Sequence, residues 1–475
     1  MASPILPGSG LGSGLDIGAI VTALVNADKS PKQTQIDSQT KTNTLKISGV
    51  GSLKSALTAF QTSLTNLNNP TNPAFQGYSA TSSAATTLGV TSDNTAVSGT
   101  YSVVVSKLAT GSKVASAAFA GGASSAIPSG TLKITQSGVD YNVTIPANAT
   151  LQSTRDAINS AQASNGISAN IVTDSSGASR LVISSTKTGA GTDMVVSGIA
   201  GLAIDGTQPM GSNPAASASG AVNGLAQNAE LTIDGLAVTS KSNTVTGAIS
   251  GLTLNLLATN PGTPATVTVA TNTTGLQTSI QQFVDSYNTL MNTINTLSKA
   301  TADADGKLTV SAAFTGDSLP RSLISDIRGA LTSPSAGGQL SVLSQIGVMT
   351  DGLTGNLVFD TTAFGKTMAT SGMSGQVQQL FSGTDGTNGV LARMGNAVKP
   401  YIQTGGLLDQ RNSNLTNISK NIADQQAALD LRVTNLTATL TAKYNAMDLL
   451  VGQMKATASS ITSFFTSLNA QKSNS

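Results

Sequence analysis

The chain has 475 residues, with 25 Lys and Arg against 23 Asp and Glu, so its formal net charge is +2. It contains no His and no Cys, which excludes disulfides, thiolate nucleophiles, Cys/His zinc sites and every His-based catalytic triad. Charged residues are only 10% of the chain and form no basic run beside aromatic residues, so no nucleic-acid partner is predicted. The length is that of roughly three domains.

The N-terminal residues predict neither a signal peptide nor a membrane span. Residues 1–14 lack the basic leader and long apolar run of a secretory signal. The apolar stretch at 17–25 is far shorter than the ~20 residues that cross a bilayer. We therefore expect no membrane partner, and any export must use a route without a cleaved signal peptide.

Two apolar stripes near the N terminus predict helices. The first begins after Asp16, a suitable capping residue, and consists of Ile17, Ile20, Val21, Leu24 and Val25. The second ends at Asn69-Pro70 and consists of Leu53, Leu57, Phe60, Leu64 and Leu67. Gly49 and Gly51 are candidates for a bend between the two.

The strongest periodic signal lies at the C terminus. Apolar residues alternate by three and four positions, which predicts a coiled-coil seam of Tyr444, Met447, Val451, Met454, Ala458, Ile461, Phe465 and Leu468. An earlier stripe continues it upstream through Leu415, Ile418, Ile422, Leu429, Val433, Leu436 and Leu440. Such a helix of ~60 residues would be about 90 Å long. Its apolar face needs cover, either from the N-terminal stripes or from other subunits.

Between the helical ends the chain is rich in Ser, Thr, Gly and Val and predicts β-structure. Short alternating runs lie at residues 101–105, 132–134, 141–145, 167–172, 181–184, 230–233 and 266–269. One helix is predicted at 151–163, and the chain returns to helix at 276–297 and 323–331. Loop-like segments at 121–125 and 211–214 could bracket a domain inserted into another β-domain.

No motif predicts a metal, a cofactor or catalysis. The segment from Asp303 to Gly306 resembles the start of a calcium loop, but Phe314 stands where the bidentate Glu should be, so we interpret it as a turn. The glycines from Gly8 to Gly14 do not fit a dinucleotide loop, and residues 365–367 lack the first glycine of a phosphate loop. Carboxylates are scattered without acid–base pairing, so the chain is not expected to be an enzyme.

Several segments, taken in order, resemble the flagellar filament cap family, known as hook-associated protein 2. The opening Leu11-Gly12-Ser13-Gly14-Leu15-Asp16-Ile17 resembles its N-terminal signature. Further matching segments lie at residues 99–109, 230–235, 242–243, 249–254, 283–288, 405–407 and 443–448. Residues 158–159 and 166–169 resemble a motif of flagellin-type axial proteins. Each segment alone is weak, but their order along the chain is specific.

With these patterns, we expect an α+β multidomain fold in which terminal α-helical coiled-coil legs flank nested antiparallel β-rich head domains. Residues 1–35 and 437–475 form the terminal helical part, which we expect to be partly disordered when free, and 36–78 with 272–436 form a helical leg domain. Residues 79–110 and 224–271 form one head domain, into which 111–223 insert a second.

The resemblance implies a filament capping protein that forms a ring at the distal tip of the flagellum, outside the cell. There it would prevent leakage of exported flagellin and promote its folding and polymerisation. Implied partners are further copies of the chain in a ring of about five, flagellin, hook-associated junction proteins and an export chaperone. No cofactor is implied. The expected interface residues are Leu15, Ile17, Ile20, Val21, Leu24, Val25, Tyr444, Met447, Val451, Met454, Ile461, Phe465 and Leu468.

Two other functions stay open at this point. The first is another axial protein, either flagellin or a hook–filament junction protein, although the opening motif and Ala446-Met447-Asp448 favour the cap. The Ser/Thr-rich β-domains would also suit a surface adhesin, and an adhesive role could accompany a distal location.

Overall fold

The computed structural model describes residues 12–309, 312–335, 338–370 and 372–472. Leu11 of the opening motif and the glycines Gly8 and Gly10 lie outside the described residues, so the interpretations that rest on them receive no structural account. Three short 3₁₀ turns lie at Gly122–Ser124, Ala163–Asn165 and Leu343–Ile346. The α-helices in the described part are α1 (Ile17–Leu67), α2 (Leu151–Gln162), α3 (Thr273–Ser298), α4 (Leu319–Thr332), α5 (Thr361–Met368), α6 (Met373–Ser382), α7 (Val390–Ile402) and α8 (Leu407–Lys472).

The strands lie mainly between α1 and α3. They are β1 (Tyr78–Ser82), β2 (Leu88–Ser92), β3 (Gly99–Lys107), β4 (Gly111–Ala115), β5 (Ala126–Ile127), β6 (Gly130–Gln136), β7 (Val139–Ile145), β8 (Ala149–Thr150), β9 (Ile167–Thr173), β10 (Ser179–Thr188), β11 (Met194–Ser197), β12 (Ile204–Asp205), β13 (Gly220–Ala221), β14 (Ala229–Ile233), β15 (Leu236–Ser240), β16 (Thr244–Thr246), β17 (Leu252–Leu256), β18 (Ala265–Thr271), β19 (Thr301–Ala302), β20 (Leu308–Thr309), β21 (Val348–Thr350) and β22 (Leu357–Phe359). Every strand run expected from the sequence lies inside one of these.

The first head unit is built from strands that come before and after an insertion. A five-stranded sheet has the order β1-β18-β3-β14-β15, and a three-stranded sheet has the order β16-β17-β2, all antiparallel. Alternate side chains from the two sheets are buried in one core that includes Val103, Leu231, Leu254 and Val267.

The second head unit is inserted between β3 and β14. Its two four-stranded sheets have the orders β13-β4-β10-β9 and β12-β11-β6-β7. Helix α2 begins with a capping box at Thr150 and Ser153, and it buries Leu151 and Ile158 in the core of this unit. The expected α+β class, with terminal helices flanking a β-rich head, is therefore confirmed.

The helical leg domain joins the C-terminal half of α1 to α3–α7 and the start of α8 through one core. Its centre is aromatic: the rings of Phe75 and Phe381 stack with centroids 4.0 Å apart, and Phe283 contacts Phe381 edge-on at 5.3 Å. Gly49 is buried where α1 meets Ala313. The two residues pack so closely that a Cβ at Gly49 would lie 2.1 Å from the Cβ of Ala313.

Helix α1 differs from the expectation of two separate stripes. It runs for 51 residues without interruption through Pro31, Gly49 and Gly51. Pro31 lacks the amide that would close one intrahelical hydrogen bond. The helix continues because its apolar faces on both sides of Pro31 are covered by α8, so tertiary packing outweighs the local defect.

Candidate docking surface on the terminal helices

Helices α1 and α8 pair antiparallel from Lys54 to the N-terminal end of α1, in one register. Polar contacts mark this register at intervals from the head to the free end, as Lys54–Asp409, Asn43–Ser419, Gln33–Gln426, Lys32–Gln425, Asp28–Arg432 and Ser13–Asp448. Each step toward the N terminus of α1 is thus matched by a step toward the C terminus of α8. Helix α8 extends past the start of α1, because Gly12 and Ser13 already lie against Asp448.

The N-terminal stripe is covered inside the chain. Ile17, Val21 and Val25 are buried, with exposed fractions of 3%, 4% and 6%. The α8 side chains packed against them are Val433, Leu436, Leu440 and Tyr444. Asp16 starts the helix by accepting the amide of Ala19 at 2.9 Å. In this conformation the three buried residues are unavailable to another molecule, because the antiparallel register places α8 over them.

The other expected interface residues are more accessible. Ile20, Tyr444 and Val451 are half-buried, whereas Leu15 and Leu24 are exposed beside the buried stripe. The remaining residues of the predicted C-terminal seam, Met447, Met454, Ile461, Phe465 and Leu468, are all exposed. Whether these residues become ordered only on docking stays a prediction.

The exposed seam forms an apolar face on the end of α8, which we call the docking strip: Met447, Leu450, Met454, Ile461, Phe465 and Leu468. Their exposed fractions lie between 41% and 65%. Helical spacing places the six within one face, since successive members differ by three, four or seven positions. A soluble helix does not ordinarily leave such a continuous face in water, which indicates a binding surface.

Between Met447 and Leu468, sequence reasoning missed three exposed apolar residues. Leu450 belongs to the docking strip, whereas the seam predicted from the sequence includes its neighbour Val451 instead. Leu449 and Phe464 lie beside or behind the strip, with exposed fractions of 66% and 60%. A helical projection of residues 447–468 would have found Leu450 and Phe464, whereas Leu449 has no periodic signal.

At the start of the docking strip, the N-terminal turn is bound to α8. The carboxylate of Asp448 accepts the Ser13 amide at 2.6 Å, the Ser13 hydroxyl at 2.5 Å and the Gly12 amide at 3.2 Å. Lys455 donates its Nζ to the Ser13 carbonyl oxygen at 3.2 Å. We call these four residues the clasp. The hydrogen bonds from Ser13 lower the pKa of Asp448, because they stabilise the ionised carboxylate.

Three other carboxylates with lowered pKa values are turn residues. The pKa of Asp174, Asp351 and Asp385 is held down in each case by hydrogen bonds from residues two to four positions along the chain. Asp303 accepts the amides of Asp305 and Lys307 in the turn between β19 and β20, which is the turn expected at the calcium-like segment. The lowered pKa values of Asp174, Asp351 and Asp385 follow from turn geometry.

Two features that would indicate other functions are missing from the described residues. Within them, no group of three or more acidic side chains is placed to hold a metal ion. No described helix combines the length and the apolar character needed to span a bilayer. The feature with a clear binding chemistry is the apolar docking strip beside the clasp. This arrangement is that of a structural protein with a helical leg, which carries an exposed apolar face, and a separate β-rich head.

Comparisons with known proteins identify the family. The family profile of the flagellar hook-associated protein 2 N-terminus matches residues 13–112, and that of its C-terminus matches residues 226–456. A flagellin hook IN motif matches residues 131–187, which include the axial-protein motif noted in the sequence. The chain is 35% identical to the A-type flagellar hook-associated protein 2 of Pseudomonas aeruginosa, over 97% of both chains.

Further relatives agree. The flagellar hook-associated protein 2 of Escherichia coli K12 is 32% identical over 96% of this chain and 97% of its own. The crystal structure of the D1-D2-D3 domains of the flagellar cap protein FliD from Escherichia coli matches with a TM-score of 0.59 and 31% identity, covering 78% of this chain and 99% of that one. The chain belongs to the flagellar hook-associated protein 2 family. The prediction of a filament cap is thereby confirmed, and the other axial proteins and the adhesin are disfavoured.

Proposed function

We propose that this protein caps the distal end of the flagellar filament by inserting the docking strip of α8 among the filament subunits. It acts there as a structural protein, retaining exported flagellin and promoting its folding and polymerisation. The observation that carries the proposal is the exposed apolar face from Met447 to Leu468 on the helix end farthest from the head. Burial of such a face on contact with a complementary helix supplies the binding free energy.

The partner set follows from the same arrangement. Flagellin offers the surface that the docking strip contacts, and further copies of the chain form a ring of about five around the filament axis. Hook-associated junction proteins form the platform on which the first cap is placed, and an export chaperone covers the docking strip before secretion. Export proceeds through the flagellar secretion apparatus without a cleaved signal peptide, so the protein acts outside the cell.

Removal of residues 456–475 tests the proposal. This truncation deletes Ile461, Phe465 and Leu468 of the docking strip, and it keeps both the clasp and the pairing of Ile17, Val21 and Val25 with α8. We expect the truncated protein to keep its circular dichroism spectrum per helical residue but to lose tip labelling in electron micrographs and to fail to restore filament growth in a cap-less strain. A truncated protein that restores growth would overturn the assignment of the docking strip. Light scattering checks the ring separately, since the full chain should self-associate.

A further inference from the structure

The clasp joins the two ends of the chain at one defined place on α8. Asp448 uses one carboxylate to accept three donors from the N-terminal turn, two from Ser13 and one from Gly12. Asp448 and Ser13 lie 435 positions apart in sequence. The opening motif and the C-terminal Ala446-Met447-Asp448 motif are therefore two halves of a single contact.

Close backbone packing fixes the position of the clasp along α8. A Cβ at Gly12 would lie 2.2 Å from the carbonyl oxygen of Asp448 and 3.1 Å from the Cα of Gly452. Conversely, a Cβ at Gly452 would lie 3.2 Å from the Cα of Gly12. A side chain at Gly12 would overlap the backbone of α8, and one at Gly452 would press the turn away by a few tenths of an ångström. The turn is thus held by shape as well as by hydrogen bonds.

The clasp lies at the boundary between the covered and the exposed parts of α8. On its head side, Val433, Leu436, Leu440 and Tyr444 pack against α1. On its other side, Met454, Ile461 and Phe465 are exposed. Without the clasp, the first turns of α1 would be held only by the small cluster of Ile17, Val21 and Val25, and helix ends with few buried contacts fray.

We infer that Asp448 is a positioning residue for cap docking: by binding Ser13 and Gly12 it fixes where the α1–α8 pair ends, and thereby which face of α8 is presented to the filament. This inference rests on the proposed docking function. Asp448 does not itself contact the filament; its effect passes through the N-terminal turn. Loss of the clasp lets the start of α1 separate from α8, so that Ile17 and Val21 compete with the docking strip for apolar partners.

The test compares a variant of the clasp in α8 with two variants of the clasp in the N-terminal turn. Asp448→Ala removes the acceptor, Ser13→Ala removes the hydroxyl donor, and Gly12→Ala forces the turn away from α8 without altering α8. Asp424→Ala, an exposed carboxylate on the same helix, is the matched control. Amide hydrogen exchange of residues 17–25 and filament growth in a cap-less strain are measured on the full-length protein, together with exchange of the head core.

We expect exchange at residues 17–25 to become about fivefold faster or more in all three clasp variants, while exchange of the head core is unchanged. The variant with the fastest exchange at residues 17–25 should also show the largest loss of filament growth. The double variant Ser13→Ala with Asp448→Ala should change exchange less than the two single effects added together. If Asp448→Ala alone stops growth while Gly12→Ala and Ser13→Ala leave it normal, Asp448 contacts the filament directly and the inference is wrong. Unchanged exchange in every variant also overturns it, whatever becomes of the docking function.

Discussion

Asn43 of α1 donates its side-chain amide to the backbone carbonyl oxygen of Leu415 in α8 at 2.9 Å, in the interior of the paired helices. The same amide lies 2.7 Å from the hydroxyl oxygen of Ser419, and Asn43 is only 5% exposed. A buried polar side chain in a coiled coil lowers stability relative to an apolar residue but specifies one register. Asn43 is placed to specify the register of α1 and α8, since it lies between the leg domain and the buried cluster of Ile17, Val21 and Val25.

Replacement of Asn43 should therefore separate stability from register. Asn43→Ala is expected to lower the free energy of unfolding of the leg by about 1–3 kcal/mol, because it removes the hydrogen bonds and leaves a gap. Asn43→Leu fills the gap but loses the register signal. Denaturant titration measures the first effect. For the second, Cys residues introduced at Asp28 and Arg432 in this Cys-free chain can be joined by a short bis-maleimide. Unchanged cross-linking yield in Asn43→Leu would show that register is set elsewhere.

Two glycines of α1 should respond oppositely to the same substitution. Gly49→Ala is expected to destabilise the leg domain by about 1–3 kcal/mol, because its Cβ would overlap that of Ala313. Gly51→Ala, with nothing within 4 Å of its added Cβ, should stabilise the helix by about 0.5–1 kcal/mol. Thermal unfolding followed by circular dichroism measures both. Equal and small effects would contradict the close packing at Gly49.

The aromatic core predicts a large loss on truncation. Phe283 is fully buried and contacts the ring of Phe381 edge-on. Phe283→Ala should lower the free energy of unfolding of the leg domain by about 3–5 kcal/mol. Phe464→Ala, the same change at a side chain that is 60% exposed, should alter stability by no more than about 0.5 kcal/mol. Denaturant titration of the two variants provides the comparison, and a loss of similar size in both would contradict the burial of Phe283.

The clasp should open in acid. The pKa of Asp448 is lowered in the folded protein, chiefly by hydrogen bonds from Ser13, so the ionised carboxylate is what the clasp binds. Its contribution is complete above the unfolded value near 3.8 and is lost as the pH falls through the lower folded pKa.

NMR of the Ser13 amide in serine-labelled protein checks this expectation. The signal should stay constant from pH 7 to about pH 5 and move only below the unfolded value near 3.8. Asp174, Asp351 and Asp385 also have lowered pKa values, so global unfolding is not a suitable readout. Asp448→Asn should abolish the movement, and a Ser13 shift between pH 5 and 7 would contradict the assignment.

The sequence predicts much of this architecture because periodicity is a local property. The strand runs from residue 101 to 269 and the seam from Tyr444 to Leu468 are visible as patterns of two, three and four residues. The union of two N-terminal stripes into α1 is not visible in this way. Pro31 and two glycines indicate a break, and only the cover from α8, hundreds of positions away, removes it.

For the docking strip too, local spacing predicts the helix, whereas burial depends on residues far away in the sequence. Apolar spacing identifies Ile17 and Ile461 equally well as seam residues, yet one is 3% exposed and the other 52%. The difference depends on the antiparallel register of α1 and α8. Asn43 and Asp448 make hydrogen bonds across this pair, and neither residue bears a periodic signal. The sequence therefore locates the apolar helices, but it does not show which of their residues pack inside the chain and which are left exposed for a partner.

One substitution pair tests the central claim most directly. Ile461→Asp places a charge in the docking strip, whereas Ser463→Asp places the same charge two positions away, on the opposite face of the same helix. Filament growth is measured after each variant is added to a cap-less strain, with circular dichroism as the check on folding. We expect Ile461→Asp to abolish growth with an unchanged spectrum and Ser463→Asp to support growth. Normal growth with Ile461→Asp, or equal loss with both variants, would contradict docking through this face.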